Sequence, residues 1–236
     1  MKEKISFLIL VNNEAKTIEN EIYNILKIKK KINFNLVVIQ DGSNDGTYEI
    51  LNRVSKKKKI IFFNKKERLG YYKAFLKGVE LSKGKTIFFS DTGGKYNYLK
   101  FLEFYKFYKK NNADLVAGYR IKRKDKIIRQ MLTFFYSIII NNLFFLNFQD
   151  YDCGFKIFKR NKLLHVLKKY KFNKNLITSQ IFLYFIKHNF KIFQYPIIYK
   201  EKKNRNSRGI PTNKIFKIVC ETILNLIKIR LKFKTL

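Results

Sequence analysis

Two acidic residues, far apart along the chain, have the surroundings that a phosphate-containing ligand would need. Asp41 opens the run DGSNDGT, and a carboxylate just past a strand can accept hydrogen bonds from ribose hydroxyls or a base N–H. Asp91 opens the run DTGG, which suits a divalent cation that bridges a diphosphate. Each run also fits a plain turn, with Asp45 as a helix N-cap in the first. Spacing alone leaves both interpretations open.

Three arginines extend the list of candidate ligand-binding residues. Arg120, Arg123 and Arg129 follow a predicted strand, and the planar guanidinium group binds phosphate through paired donors. The alternative is that they are solvated charges on a lysine-rich surface. The two histidines and two cysteines have no spacing typical of a catalytic triad or a zinc site. The cysteine usage fits a reducing cytoplasm.

Alternating strands and helices would bring these polar residues together. Apolar runs predict strands at residues 5–11, 36–39, 59–63 and 85–90, with helical spacing between them. Such alternation predicts an α/β fold with a mostly parallel sheet flanked by helices. Parallel sheets bind ligands at the carboxyl ends of their strands. We therefore expect residues 12–14, 41–45 and 91–94 to line one crevice.

The second half of the chain contains an apolar segment and a basic helix. Residues 130–149 include no charged residue, and this length could cross a bilayer. Its three asparagines make a membrane span a poor fit, which leaves an interfacial helix or a helix packed on the domain. Residues 214–233 form a basic amphipathic pattern. We assign residues 1–212 to one domain and residues 213–236 to a C-terminal helix associated with a membrane.

The net charge of +34 has two explanations. Codon bias would produce an excess of lysine over arginine, the abundance of Ile, Asn and Phe, and the absence of Trp. A functional explanation is an anionic membrane surface. The basic residues are spread along the chain and no nucleic-acid-binding motif is evident, so nucleic acid is not an expected partner. The apolar start of the chain fits a buried strand and not a signal peptide.

The motifs together resemble family 2 glycosyltransferases, which have the GT-A fold, and among these the dolichyl-phosphate mannosyltransferase-like branch. The similarity covers nearly the whole chain, and VVIQDGSNDGT at residues 37–47 is its most specific match. IFFSDTGG at residues 87–94 lies where the family has its D-x-D metal motif. DYDCGFKIFKR at residues 150–160 is similar to the family's D-x-x-C-G-F-R-x-F-x-R.

The resemblance implies an inverting transferase that uses a nucleotide-sugar donor and Mg²⁺ or Mn²⁺. It places the polyprenyl-phosphate or glycan acceptor at a membrane, with the enzyme peripheral on the cytoplasmic face. By resemblance, Val11, Glu14, Asp41 and Ser43 bind the donor, and Asp91 binds both the donor and the metal. Arg120 and Arg129 bind the lipid phosphate, and Asp150 lines the sugar pocket. Lys202, Ser207 and Arg208 belong to a loop that closes on the donor. Asp91, Arg129 and Asp150 are the predicted catalytic residues.

Three departures from the family pattern bear on the chemistry. Gln40 replaces the first Asp of the family's Asp-Asp-Gly, and Gly93 replaces the second Asp of D-x-D. Gln180 stands where many relatives have Glu. An acceptor hydroxyl needs a base and a phosphate acceptor does not, so Gln180 favours a phosphate acceptor. Transfer to a hydroxyl of a cell-surface or lipid-linked glycan is the alternative. A non-catalytic protein that binds nucleotide sugar is a third hypothesis.

Overall fold

The computed structural model describes residues 5–173, 176–200 and 215–233. Within these ranges, seven strands form one sheet and eight α-helices pack around it. The strands are β1 Ile5–Val11, β2 Phe34–Asp41, β3 Ile61–Lys65, β4 Thr86–Asp91, β5 Leu115–Ile121, β6 Phe155–Lys159 and β7 Ile192–Ile198. The helices are α1 Ile18–Lys27, α2 Thr47–Lys57, α3 Tyr71–Leu81, α4 Phe101–Lys110, α5 Ile127–Phe144, α6 Arg160–Lys169, α7 Ile177–Lys187 and α8 Ile215–Phe233.

The sheet has the strand order β3-β2-β1-β4-β6-β5-β7. The first four of these strands are parallel to one another, and β7 is parallel to β5. Only β6, among the strands described, runs antiparallel to its neighbours β4 and β5. The predicted α/β class with a mostly parallel sheet is therefore confirmed.

Helices cover both faces of the sheet because alternate strand residues point in opposite directions. In β1, Phe7 and Ile9 belong to a core that also contains apolar residues of α1, α2 and α4. Leu8, between them, belongs to the second core, with residues of α3, α5, α6, α7 and α8. A central strand buried on both faces explains why β1 has an almost continuous apolar run.

The apolar segment predicted at residues 130–149 becomes α5, which starts three residues earlier and ends at Phe144. One side of α5 packs into the second core through Ser137, Ile140 and Phe144. The helix is long and apolar enough to cross a membrane, yet only 17% of its most apolar window is buried in the protein. Helix α8 packs beside α5, with the rings of Phe144 and Phe233 5.1 Å apart.

Candidate functional site

The carboxyl ends of β1, β2 and β4 lie side by side, since β1 pairs with both of the other strands. Asn12, just after β1, donates hydrogen bonds to the carbonyl oxygens of Asp41 and Gly42. On the other side, the Thr92 hydroxyl donates to the Leu10 carbonyl at 2.8 Å. The three polar segments expected to line one crevice are thus joined at one edge of the sheet.

Hydrogen bonds also join the loop after β1 to the loop after β2. The backbone N–H of Asn13 donates to the Ser43 hydroxyl at 2.9 Å, and that of Glu14 donates to Thr47 Oγ1 at 2.8 Å. Asn13 has a positive φ of 54°, a conformation that asparagine tolerates better than most residues. Val11 and Glu14 are both buried here. The predicted donor-binding residues of these two loops therefore lie together.

Asp41 is buried, and both of its carboxylate oxygens accept backbone hydrogen bonds. Leu69 N–H donates to Oδ1 at 2.5 Å, and Gly70 N–H donates to Oδ2 at 3.1 Å. The two donors lie at the start of α3, so this carboxylate fixes the chain between β3 and α3 against the crevice. A carboxylate oxygen can accept more than one hydrogen bond, and these bonds do not exhaust the accepting capacity of Asp41.

Asp91 ends β4 with its side chain 26% exposed, 3.7 Å from the ammonium group of Lys95. Its backbone N–H donates to the Gly154 carbonyl at 2.8 Å. A Cβ atom added to Gly154 would lie 2.2 Å from Oδ2 of Asp91. The absence of a side chain at residue 154 therefore gives the Asp91 carboxylate its position.

The loop after Asp91 folds inward onto a buried glutamate. Gly93 and Gly94 donate backbone hydrogen bonds of 2.9 and 2.7 Å to Oε1 of Glu21, and the Tyr98 hydroxyl donates to Oε2 at 2.7 Å. Glu21 is not among the site residues predicted from the sequence. It could have been found as a charged residue on the apolar face of α1, where the other buried residues are isoleucines.

At this edge of the sheet, one carboxylate, that of Asp91, could bind a divalent cation. Among the described residues, no cluster of three His, Cys, Asp or Glu side chains could hold a metal ion. Mg²⁺ and ions like it commonly bind through one or two carboxylates together with substrate phosphates. Asp91 fits that role if a diphosphate supplies further oxygens, and a bound ion would offset the negative charge of that diphosphate. Lys95 contributes positive charge at the same place.

Asp150, predicted to line the sugar pocket, is buried in a bidentate ion pair. Arg120 donates from Nε to Oδ2 at 2.6 Å and from Nη2 to Oδ1 at 3.0 Å. Burial opposes the charge of Arg120, but the hydrogen bonds and negative charge of Asp150 raise the pKa of the guanidinium group above its usual value. The pair fixes the loop before β6 to the end of β5.

An open hollow of about 470 Å³ lies between this ion pair and α5. Arg120 and Arg123 line it together with amide and hydroxyl side chains, and Phe134, Ile138 and Phe148 supply its apolar surface. Arg123 is itself paired with Asp125, through a bond of 2.9 Å from Nε. Arg129, in the first turn of α5, is half-buried but is not among the residues that line the hollow. A ligand with both anionic and apolar parts is compatible with this lining.

A second hollow of similar volume lies at the amino ends of the strands. It is lined by lysines, among them Lys83 and Lys85, and by Arg160. Ligands of parallel α/β sheets bind at the opposite ends of the strands. We therefore do not assign this hollow to the candidate site.

The loop before β6 and β6 itself each contain one further residue that is not among those predicted from the sequence. Asp152 is exposed and accepts a hydrogen bond of 2.6 Å from the Thr178 hydroxyl. Lys156 is buried in β6 and donates to the carbonyl oxygens of Tyr151 and Cys153. Burial raises the pKa of Cys153 to about 12, so this thiol stays protonated and is no nucleophile. Lys202, Ser207 and Arg208 lie outside the described residues.

Comparison with family models gives a match to Glycosyl transferase family 2 over residues 6–167. Among curated proteins, an uncharacterized protein of Methanocaldococcus jannaschii is 35% identical over 156 residues, which make up 59% of this chain and 68% of that protein. The poly-beta-1,6-N-acetyl-D-glucosamine synthase of Staphylococcus aureus is 32% identical over 78 residues, or 33% of this chain and 19% of the synthase.

Solved structures share the fold at low sequence identity. Glucosyl-3-phosphoglycerate synthase of Mycobacterium tuberculosis, solved with Mn²⁺, UDP-glucose and phosphoglyceric acid, has a TM-score of 0.71 at 15% identity, covering 97% of this chain and 79% of that chain. A mannosyltransferase of Pyrobaculum calidifontis, solved with GDP-mannose and Mn²⁺, has a TM-score of 0.61 at 15% identity. The match to it covers 88% of this chain and 59% of that chain.

Proposed function

Because this chain belongs to glycosyl transferase family 2 and is therefore a nucleotide-sugar-dependent glycosyltransferase, we propose that it transfers the sugar to a membrane-linked acceptor with inversion at the anomeric carbon. The observation that carries the acceptor class is the hollow between β5 and α5, whose lining combines two arginines with apolar side chains of α5 and with Phe148. The specific branch predicted from sequence, dolichyl-phosphate mannosyltransferase-like, remains part of this proposal.

In this proposal, the donor lies across the carboxyl ends of β1, β2 and β4. Glu14 and Asp41 face the nucleoside, and Asp91 faces the diphosphate together with the divalent ion and Lys95. The acceptor enters from the α5 side and attacks the anomeric carbon opposite the departing diphosphate. Stabilisation of the developing negative charge and in-line positioning then supply most of the rate enhancement.

A membrane surface would deliver such an acceptor. Helix α5 exposes Ile127, Phe134 and Phe135, at 70%, 62% and 53% of their surface. Helix α8, packed beside it, exposes Leu224 and Leu231. Apolar side chains flanked by lysines and arginines are typical of helices that lie in the interface of an anionic bilayer. We propose a peripheral enzyme on the cytoplasmic face, with the hollow opening toward the lipid.

Two acceptor groups fit the hollow, and different residues favour each. A polyprenyl phosphate would use Arg120 and Arg123, which line the hollow, as phosphate ligands, with Arg129 in the first turn of α5 beyond that lining. The first two are already paired with Asp150 and Asp125, so a phosphate would have to share them. A hydroxyl of a lipid-linked glycan needs no such cluster but does need a proton acceptor, and Asp152, two residues after Asp150, is an exposed carboxylate that could supply it.

The test is transfer by the purified full chain from a panel of nucleotide sugars, with Mn²⁺, to polyprenyl phosphate and to a lipid-linked glycan. We expect release of nucleoside diphosphate only when donor and membrane-linked acceptor are both present. Asp91→Ala should lower this rate by at least a hundredfold, because it removes the carboxylate at the diphosphate. Nucleotide binding without transfer, for every donor and acceptor, would instead support a non-catalytic binding protein.

A further inference from the structure

Asp152 has the placement of a reactive carboxylate and not of a structural one. Its Oδ1 accepts the hydrogen bond from Thr178, in the first turn of α7. In the described part of the chain, its Oδ2 has no hydrogen-bond partner. Asp150, two residues earlier, is committed to Arg120 through both oxygens. This loop contacts Asp91 through the Gly154 carbonyl and lines the hollow beside α5 through Asp150. Of its two acids, Asp150 is buried and Asp152 is exposed.

The start of α7 has a neutral amide, that of Gln180, and not a carboxylate. Gln180 is 4% exposed, and its Oε1 accepts a hydrogen bond of 2.7 Å from the Asn173 N–H. A buried amide cannot accept a proton from an acceptor. Asp152 is tied to Thr178, two residues before Gln180 on the same helix. A carboxylate is thus present at this helix end, supplied by the loop before β6.

We propose that Asp152 is the catalytic base of a transfer to an acceptor hydroxyl. This inference rests on the proposed function and selects the glycan hydroxyl over the phosphate. The acceptor oxygen forms a bond to the anomeric carbon as the bond from that carbon to the diphosphate oxygen breaks. The bonding electron pair leaves with the nucleoside diphosphate, and the hydroxyl proton moves to Oδ2 of Asp152, which later releases it to water.

The groups around Asp152 support a proton-accepting role. Although the side chain is exposed, the surrounding protein partly desolvates it, and this raises its pKa above the usual value. The negative charge of Asp150 adds to the increase, while the Thr178 hydrogen bond, Lys156 and Arg120 oppose it. The pKa values of the Tyr71 hydroxyl in α3 and the Tyr136 hydroxyl in α5 are raised, first by desolvation. The charge of Asp152 adds to the increase in both, and the charge of Asp91 adds to it in Tyr71.

The test compares Asp152→Asn with the wild-type full chain, using a lipid-linked glycan as acceptor. A positioned base contributes about 10²–10⁴ to the rate, so we expect kcat to fall by that factor. The affinity for nucleoside diphosphate, measured by calorimetry, should change less than twofold. The rate of the wild type should rise with pH through the raised pKa of Asp152, and this acid limb should disappear in Asp152→Asn. Asp152→Glu should recover part of the rate.

An acceptor that is already ionised separates a base from a merely structural residue. A thiol analogue of the acceptor, assayed at a pH above its own pKa, needs no proton removal, so Asp152→Asn should lose little rate with it. Equal loss with thiol and hydroxyl would overturn the assignment. Full activity of Asp152→Asn with a hydroxyl acceptor would also overturn it. Wild-type transfer to polyprenyl phosphate alone would overturn it too, but that result leaves the proposed function intact. If the wild type transfers to no acceptor, the proposed function fails and this inference fails with it.

Discussion

Gly154 and Asp91 form a contact that leaves no room for a side chain. An alanine Cβ at residue 154 would lie 2.2 Å from the Asp91 carboxylate, so Gly154→Ala must displace that carboxylate. We expect at least tenfold weaker binding of nucleotide sugar in the presence of Mn²⁺, measured by calorimetry, with little change in the circular dichroism spectrum.

The double variant tests whether the effect acts through Asp91. In an Asp91→Ala background the clash is absent, so adding Gly154→Ala should cost almost no further affinity. Additive losses would show that the glycine acts on binding by another route.

Single residues of the site could be predicted from sequence where they follow a strand, and could not where a distant partner decides their role. Asp41 and Asp91 follow strands, and the sheet alone brings them to one edge. Asp150 lines the hollow beside α5, but its spacing does not show that both of its oxygens accept hydrogen bonds from the distant Arg120. Asp152 lies two residues further on, and nothing in its spacing shows that it is the exposed acid of this loop.

Helix α3 packs against β1 at a distance that only glycine allows. A Cβ at Gly78 would lie 2.4 Å from Cδ1 of Leu8, and both residues are buried in the second core. Overpacking of this kind costs about 1–3 kcal/mol. We expect Gly78→Ala to lower the free energy of unfolding by about that amount, measured by urea denaturation, despite the better helix propensity of alanine.

Leu8→Ala supplies the matched comparison for this contact. On its own, this substitution opens a cavity. In the double variant, the methyl group that Gly78→Ala adds would occupy the space that the Leu8 side chain leaves. The double variant should therefore be more stable than the sum of the two single effects predicts. Strict additivity would contradict the packing explanation.

Elements were predictable from apolar periodicity, whereas their partners were not. The strands of the first half lie within two residues of their predicted bounds, since each has a strong apolar pattern. The antiparallel β6, inserted between β4 and β5, has a short apolar run that no local pattern orients. In α5, Asn141 was counted against a membrane span, and the structure gives it a partner within the protein: its side chain exchanges two hydrogen bonds with the Phe148 backbone.

At the scale of the whole molecule, the charge of +34 separates two possible partners of the exposed α5 face. A second copy of the chain would bring two strongly positive bodies together, and their repulsion opposes self-association. An anionic bilayer has the opposite charge, and it offers apolar depth for Phe134 and Phe135. In the sequence alone, the charge has codon bias as an alternative explanation and does not distinguish these partners. Next to an exposed apolar helix, the same charge favours the bilayer.

Vesicle binding tests this preference. We expect the full chain to sediment with vesicles that contain anionic lipid, and much less with neutral ones or at high salt, because salt screens the attraction. Replacing Phe134 and Phe135 by Gln should weaken binding to anionic vesicles about tenfold or more, since two exposed rings no longer enter the interface. Leu99→Gln is the control, because Leu99 is 57% exposed but lies outside α5 and α8. Equal binding by all three proteins would exclude α5 as the docking surface.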